Sequence, residues 1–291
     1  MLKIVLKYNF FLLFKFLYIF ADNSAPRTNR MRKKIFFSFC IATLVFQLTN
    51  SQASFSNEIG AYAGPVALYS DYGQRQNFDT NIGNVGFTIG LTHYMNFSYT
   101  NGYNIYSPLN YVKDHFKIRN EISYTKVNLQ HFGDFVAPDR TSLFAQQLRG
   151  MRGESSIFSL GSSVEFYPLS IKNFESNGYK ISPHIGAGIH YSFYTPRAFS
   201  TLGVLGDPAV TPEKFQGAFT NESGSAISLV GSIGGRYKIS PLEDLLLQAK
   251  WQFFFSDFVD GLSPDENRFP ENRANDWLFS IQIGYIFYLE K

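Results

Sequence analysis

The chain has 291 residues, 45% apolar, 18% aromatic and 17% charged, with 31 Phe, 18 Tyr, one Cys and a formal net charge of +3. That length can bury a substantial core, the aromatic content excludes a disordered chain, and a single cysteine excludes an internal disulfide scaffold. The positive charge belongs to the start of the chain: residues 1–53 carry eight of the 26 basic residues and one of the 23 acids, leaving 18 against 22, a net of −4. No nucleic-acid footprint remains after that correction.

Taken in chain order, residues 1–30 hold an apolar stretch over 4–20 broken by Lys7 and Lys15, then a polar segment. Two export-type segments in series are unusual, so 1–30 is read as an upstream extension produced by an earlier start site. Residues 31–53 have the three parts of a secretory signal peptide. Met31-Arg32-Lys33-Lys34 is the basic region, 35–46 the apolar region, and Ser51-Gln52-Ala53 the small-residue cleavage site. Cys40 lies too early to follow a lipobox and leaves with the leader. The mature domain is then 54–291.

From 54 onward no apolar run reaches the roughly 20 residues of a membrane helix. Period-two alternation recurs instead, the signature of strands. Val85, Phe87, Ile89 and Leu91 alternate with Gly86, Thr88, Gly90 and Thr92. Ile181, Ile185, Ile189, Tyr191 and Phe193 alternate with Ser182, His184, Gly186, Gly188, His190 and Ser192. Ile227, Leu229, Ile233 and Tyr237 oppose Ser228, Ser232, Gly234 and Arg236. At the end, Phe279, Ile281, Ile283, Tyr285, Phe287 and Leu289 oppose Ser280, Gln282, Gly284, Ile286 and Tyr288. Four further segments, at 58–68, 116–127, 156–168 and 245–258, bring the count to eight, an even number as bacterial barrels require.

These patterns predict an all-β, transmembrane, antiparallel up-and-down barrel of eight strands, with ten left open by the long connection 98–114. With the N-terminus in the periplasm, connections 69–83, 128–155, 194–224 and 259–275 face outward as long loops. The inner ones are 98–114, 169–179 and 240–244.

Polarity decides which face is wet. Lys117, Arg119, Glu121, Glu165, His184, Arg236 and Lys250 all share the Gly/Ser/Thr face at strand centres. An Arg or Lys facing the bilayer midplane would cost about 2–4 kcal/mol, so that face is the lumen, and an eight-stranded lumen is narrow enough for side chains to fill. A soluble ligand-carrying barrel would have the opposite polarity. Tyr69, Tyr94, Phe97, Tyr167, Tyr194, Trp251, Trp277 and Tyr288 lie near strand ends and are expected to form interfacial girdles.

The stretch Gln282-Ile283-Gly284-Tyr285-Ile286-Phe287-Tyr288-Leu289 resembles the barrel-assembly signal of outer-membrane proteins, with Gln282, Gly284, Phe287 and Leu289 at its defining positions. Gly64-Pro65-Val66, Ser70-Asp71-Tyr72-Gly73, Phe166-Tyr167-Pro168-Leu169-Ser170-Ile171 and the segment from Trp251 to Gly261 resemble an uncharacterised family of outer-membrane barrels from flavobacteria and other Bacteroidota. A looser similarity to small OmpA-like and OmpW-like barrels concerns architecture alone. The resemblance implies an outer-membrane location, contact with outer-membrane lipid and lipopolysaccharide, and hand-off to the barrel-assembly machinery through the last strand. It implies no activity.

One spacing suits acyl transfer. His190-Tyr191-Ser192 puts a base and a hydroxyl on one face of a strand, with Glu165 on the neighbouring strand as a conceivable acid. Such an enzyme must meet lipid at the outer wall, however, whereas these residues point into the lumen. The acids Asp257, Asp260, Asp265, Glu266, Glu271 and Asp276 around the last outer loop have no EF-hand spacing and are expected to be solvated. No metal or cofactor site is expected. The sequence therefore reads as a non-enzymatic barrel with a filled polar lumen and an envelope-structural, binding or accessory role. A narrow channel or small hydrophobic-solute transporter, and a lipid A-modifying enzyme, are the alternatives.

Overall fold

The computed structural model describes residues 56–73, 77–81, 83–97, 108–265, 267–269 and 275–289. The expected upstream extension, the signal peptide with Cys40, and the acids Glu266 and Glu271 lie outside the described residues.

Eight strands close on themselves: β1 (Ser56–Tyr69), β2 (Val85–Asn96), β3 (Phe116–Gln130), β4 (Met151–Phe166), β5 (Ile181–Ser200), β6 (Gly224–Ser240), β7 (Glu243–Phe254) and β8 (Trp277–Tyr288). Every strand pairs antiparallel with its neighbour in sequence, and β1 pairs with β8 to close the barrel, from Glu58 opposite Tyr288 to Tyr69 opposite Trp277. Eight strands in a closed ring leave no place for a ninth and tenth. Part of the long inner connection is a helix instead, α2 (Pro108–His115), which follows the short α1 (Phe78–Asn81) of the first outer connection.

β4 starts at Met151 and β5 runs on to Ser200, farther than the alternation of apolar residues suggests. The reason lies in the pairing of Met151 to Ser156 with Ser200 to Thr195, which continues the ladder where outward side chains have become polar, as at Glu154 and Arg197. Hydropathy reads such residues as loop. β7, conversely, stops at Phe254: its N–H donates to the Asp276 carbonyl and the N–H of Phe255 to the Ile227 carbonyl.

Alternation fixes the two faces. Outward Leu91, Ile185 and Ile283 are 61%, 54% and 64% exposed. Inward neighbours such as Thr92, His184 and Gln282 are buried. A belt of exposed Ile, Leu, Val and Phe on every strand is unfavourable in water and is the surface that hydrocarbon solvates. No described helix is long and apolar enough to cross a membrane; the strands do so.

Parity also corrects the girdle. Tyr94, Tyr167, Tyr194 and Tyr288 are buried, because Tyr94 shares its face with Thr88 and Thr92, and Tyr288 with Gln282 and Gly284. Tyr69 is also buried, but on the outward parity of β1, opposite Trp277. Phe97 is half-buried, Trp277 stacks on Tyr69 with centroids 3.9 Å apart, and only Trp251 of the expected set stands well exposed. The outward aromatics include instead Phe87, Tyr124, Phe158, Tyr191, Phe193, Tyr237, Phe253, Tyr285 and Phe287.

Both mouths are stoppered. At the outer end an apolar plug joins Val66, Leu68, Val127, Leu129 and Leu278 of the wall to Phe215, Val259 and Leu262 from the loops and to Leu148 of α3 (Leu143–Gly150). At the inner end α4 (Ile171–Glu175) tucks in, burying Ile171, Phe174 and Glu175. Its start is capped by Ser170 Oγ, which accepts from the Asn173 N–H. It ends where Asn177 takes φ 63°, letting Gly178 N–H donate back to the Asn173 carbonyl.

Candidate functional site: a lumen of paired charges

Ten acidic and basic side chains point into the barrel and are buried: Glu58, Glu121, Glu165, Glu175 and Asp244 against Lys117, Arg119, Arg236, Lys238 and Lys250. The two signs balance. Because a buried ion must be paired to be tolerated, the register of the strands has to bring partners within reach, and it does so in two layers.

In the inner layer Glu58 bridges Lys117 and Arg236, each at 2.5 Å. Glu175 meets Lys117 at 3.2 Å and accepts from Asn96. Asp244 pairs with Lys238 at 2.6 Å and accepts from the Tyr288 hydroxyl at 2.6 Å. In the middle layer Arg119 reaches Glu121 at 2.7 Å, Glu165 at 3.2 Å and the Gln248 carbonyl oxygen at 2.7 Å. Lys250 also pairs with Glu121, whose Oε1 accepts from Tyr62 at 2.5 Å. Tyr167 donates to Glu165 at 2.6 Å.

The inward tyrosines explain how so many cations fit. Arg236 lies 4.1 Å from the centre of the Tyr94 ring, and Lys238 lies 4.2 Å and 4.3 Å from Tyr288 and Phe174. Aromatic faces supply negative charge density without needing a counter-proton.

Toward the outer end the lining becomes neutral. Gln252 Nε2 donates to the hydroxyls of Ser228, Ser192 and Ser159 at 2.9, 3.0 and 3.3 Å, and Gln248 donates to Gln282 at 2.6 Å. A void of about 10 Å³, room for one water centre, is lined by Thr88, Ser123, Thr125, Lys250, Gln252 and Gln282 among others. The apolar plug closes above it.

Of the residues singled out from sequence, Lys117, Arg119, Glu121, Glu165, Arg236 and Lys250 all enter this lattice. His184 lies against it, 4.0 Å from Glu165 and with its ring 5.4 Å from that of Tyr167. His190, Ser192 and Glu165 share the lumen but do not form a relay. Ser192 Oγ is 2.8 Å from Ser159 Oγ and accepts from Gln252, whereas both ring nitrogens of His190 are without a hydrogen-bond partner. Glu165 is held by Arg119 and Tyr167. Gly161 makes room for His190, since a Cβ there would lie 2.3 Å from its Cδ2.

Sequence reasoning missed Glu58, Glu175, Lys238 and Asp244. Parity signals three of them: Lys238 follows Arg236 by two, Asp244 shares the even face with Gln248 and Lys250, and Glu58 shares that of Tyr62. Glu175 arrives from a helix in a turn and carries no such signal.

The acids of the last outer loop are also corrected. Asp257, Asp260 and Asp276 are buried, as is Asp71 of the first outer connection, and of the described acids of the last loop only Asp265 is exposed. Asp276 Oδ2 accepts from the N–H of Val259 and Asp260 at 3.0 and 3.1 Å, and Asp260 accepts from Leu262 and Asp71 at 2.7 and 2.8 Å. Loop N–H groups that lack a strand partner must find one elsewhere, and these carboxylates supply it. Burial, reinforced by Asp71, pushes the Asp260 carboxyl well above the usual range.

Of the assembly-signal residues, Gln282 is buried in the lumen, Gly284 packs on the Ala61 carbonyl and Tyr62, and Phe287 and Leu289 face outward. Among the described residues no cluster of His, Cys, Asp and Glu could hold a metal ion.

The chain's own register and polarity thus define its class: a closed eight-stranded membrane barrel, apolar outside and ion-paired within. No family model and no curated protein matches the sequence. Among solved structures it is similar to Neisserial surface protein A, 13% identical with a TM-score of 0.40, covering 79% of this chain and 96% of that one. It is also similar to Ail of Yersinia pestis, solved with the heparin analogue sucrose octasulfate, at 11% and 0.38, covering 81% and 99%. OprG of Pseudomonas aeruginosa stands at 11% and 0.37, covering 82% and 99%.

Proposed function

We propose that this chain is an integral outer-membrane protein whose lumen is a structural strut, and whose working surface is the platform of outer loops. On this reading it has a non-enzymatic envelope-structural or binding role. The observation that carries it is the balanced set of five acids and five bases paired across the lumen between two stoppers. A conducting path would need those pairs separated, at several kcal/mol each, and the polar void above them has room for about one water. An acyl-transfer reading would need His190 to reach the Ser192 hydroxyl, which Ser159 and Gln252 occupy. The exposed apolar belt supports the membrane itself as a partner. Outward Phe287 and Leu289 support contact with the assembly machinery, and the Gly64-Pro65-Val66 and Phe166-Tyr167-Pro168 motifs support an origin in Bacteroidota.

The test is made on protein purified from outer membranes. Unboiled in SDS, the closed barrel should migrate differently from the boiled chain, and in planar bilayers it should give no steady openings. Recovery in the soluble periplasmic fraction without a heat shift would overturn the membrane reading, and steady conductance would overturn the strut.

A further inference from the structure

The Asp, Glu, Lys and Arg residues of the strands divide by face. Among the described strand residues, Glu58, Lys117, Arg119, Glu121, Glu165, Arg236, Lys238, Asp244 and Lys250 face the lumen, and Lys126, Arg152, Glu154, Arg197 and Glu243 face outward. Glu243 belongs to the inner turn, where it accepts from Ser240. The other four lie together at the outer ends of β3, β4 and β5. Glu154 stands opposite Arg197 on one side and Asn128 on the other, Arg152 stands opposite Phe199 and Gln130, and Lys126 Nζ is 3.6 Å from Glu154 Oε2. Elsewhere on the outer rim the outward strand residues are neutral: Ser225, Phe253, Trp277, Val85 and Phe87.

This sector carries three cations and one acid immediately above exposed Tyr124, Phe158 and Phe193, the top of the apolar belt. Arg152 is anchored through Nη1 on the carbonyls of Arg149 and Met151, and the Arg197 guanidinium sits 5.6 Å from the Phe199 ring. Side chains at that height, on the outer wall, meet the headgroup layer. An excess of cations there, not matched among the other described outward strand residues of the rim, is complementary to phosphate, and Arg and Lys can keep their stems on the apolar belt while the charge reaches the headgroup.

We infer that the outer ends of β3–β5 bind the phosphate of an anionic outer-leaflet lipid, with Lys126, Arg152 and Arg197 as its cationic partners. Glu154 holds Lys126 in place and moderates the site. This site rests on the membrane-spanning reading above.

The test uses the barrel purified from outer membranes, mixed in non-ionic detergent with bisphosphorylated lipid A or with the same lipid after phosphatase treatment, and native mass spectrometry counts the retained lipid. Wild type should retain the phosphorylated form and lose the dephosphorylated one. K126Q/R197Q, which leaves the anchored Arg152 intact, should weaken retention about thirty-fold, and E154Q should strengthen it. A heat-modifiable K126Q/R197Q barrel that retains lipid A like wild type overturns the site, as does equal retention of both lipids. A chain that needs no detergent and shows no heat shift overturns the membrane reading itself, and the site with it.

Discussion

Glu121 shows how much one buried side chain can carry. It faces Arg119 at 2.7 Å, pairs with Lys250 and accepts the Tyr62 hydroxyl. Neutralising it leaves two buried cations short of a counter-charge, which typically costs about 3–5 kcal/mol. E121Q should therefore lower the temperature at which the barrel shifts on SDS gels. Adding K250Q should restore part of the loss, a coupling that a double-mutant cycle reads directly; independent, additive losses would mean that the pair is not a unit. A glycine makes the complementary point about space. At Gly64, on the seam between β1 and β8, a Cβ would lie 1.9 Å from the Ile281 carbonyl oxygen, which belongs to a backbone that cannot step aside. Gly231 faces outward, with nothing within 4 Å of its Cβ position. G64A should reduce the fraction of heat-modifiable barrel recovered on refolding, and G231A should leave it unchanged.

The outer cap is an element held by loops, and its response to pH follows from two of its groups. The His131 ring lies between Tyr72 and Phe215, at 5.0 and 5.5 Å. Burial above all, with Lys214 and Arg152 nearby, depresses it from 6.5 to about 3, against a weaker pull from the Tyr72 backbone. The ring is neutral in the fold, while the opened chain takes up a proton below about 6.5. Its contribution to stability is therefore complete above that value and is lost as pH falls from 6.5 toward 3. Asp260 acts in the opposite sense, since a raised carboxyl loses stability as pH rises through its folded value. Limited proteolysis of the outer loops should accelerate on acidification across the His131 window, and H131F should flatten that component; an unchanged profile in H131F would place the pH response elsewhere. None of this cap is legible in the sequence. Its acids look like solvated loop because hydropathy registers only charge, not the loop N–H groups that Asp260 and Asp276 satisfy. The strands are legible because a one-residue step turns a side chain from lumen to lipid, so Leu91 and Thr92 announce their faces. Where that contrast fades, at Glu154 and Arg197 above the belt, the strand continues unseen. The same parity, read through to Tyr94 and Tyr288, would have placed those rings in the lumen; a general preference for aromatics at interfaces points the wrong way at these positions.

On the scale of the whole molecule, each strand pairs with its neighbour in sequence, and the one distant pairing, β1 with β8, closes the ring. The last strand therefore has two separable tasks. Its inward residues build the lumen: Gln282 accepts from Gln248 and donates to Ser280, and Tyr288 joins Asp244 and Lys238. Its outward Phe287 and Leu289 face the surroundings at the inner rim, 44% and 38% exposed, so truncating them leaves the interior packing untouched. In the proposed hand-off to the assembly machinery those two side chains form the contact. F287A/L289A should then reduce the heat-modifiable protein recovered from outer membranes in cells, while the same chain refolded into detergent should reach the wild-type yield. Gln282→Ala, which removes a lumen partner of Gln248, should instead lower the temperature of the heat shift in both settings. If F287A/L289A failed equally in detergent, the outward residues would be needed for the barrel itself, and no separate recognition step would be required to explain their position.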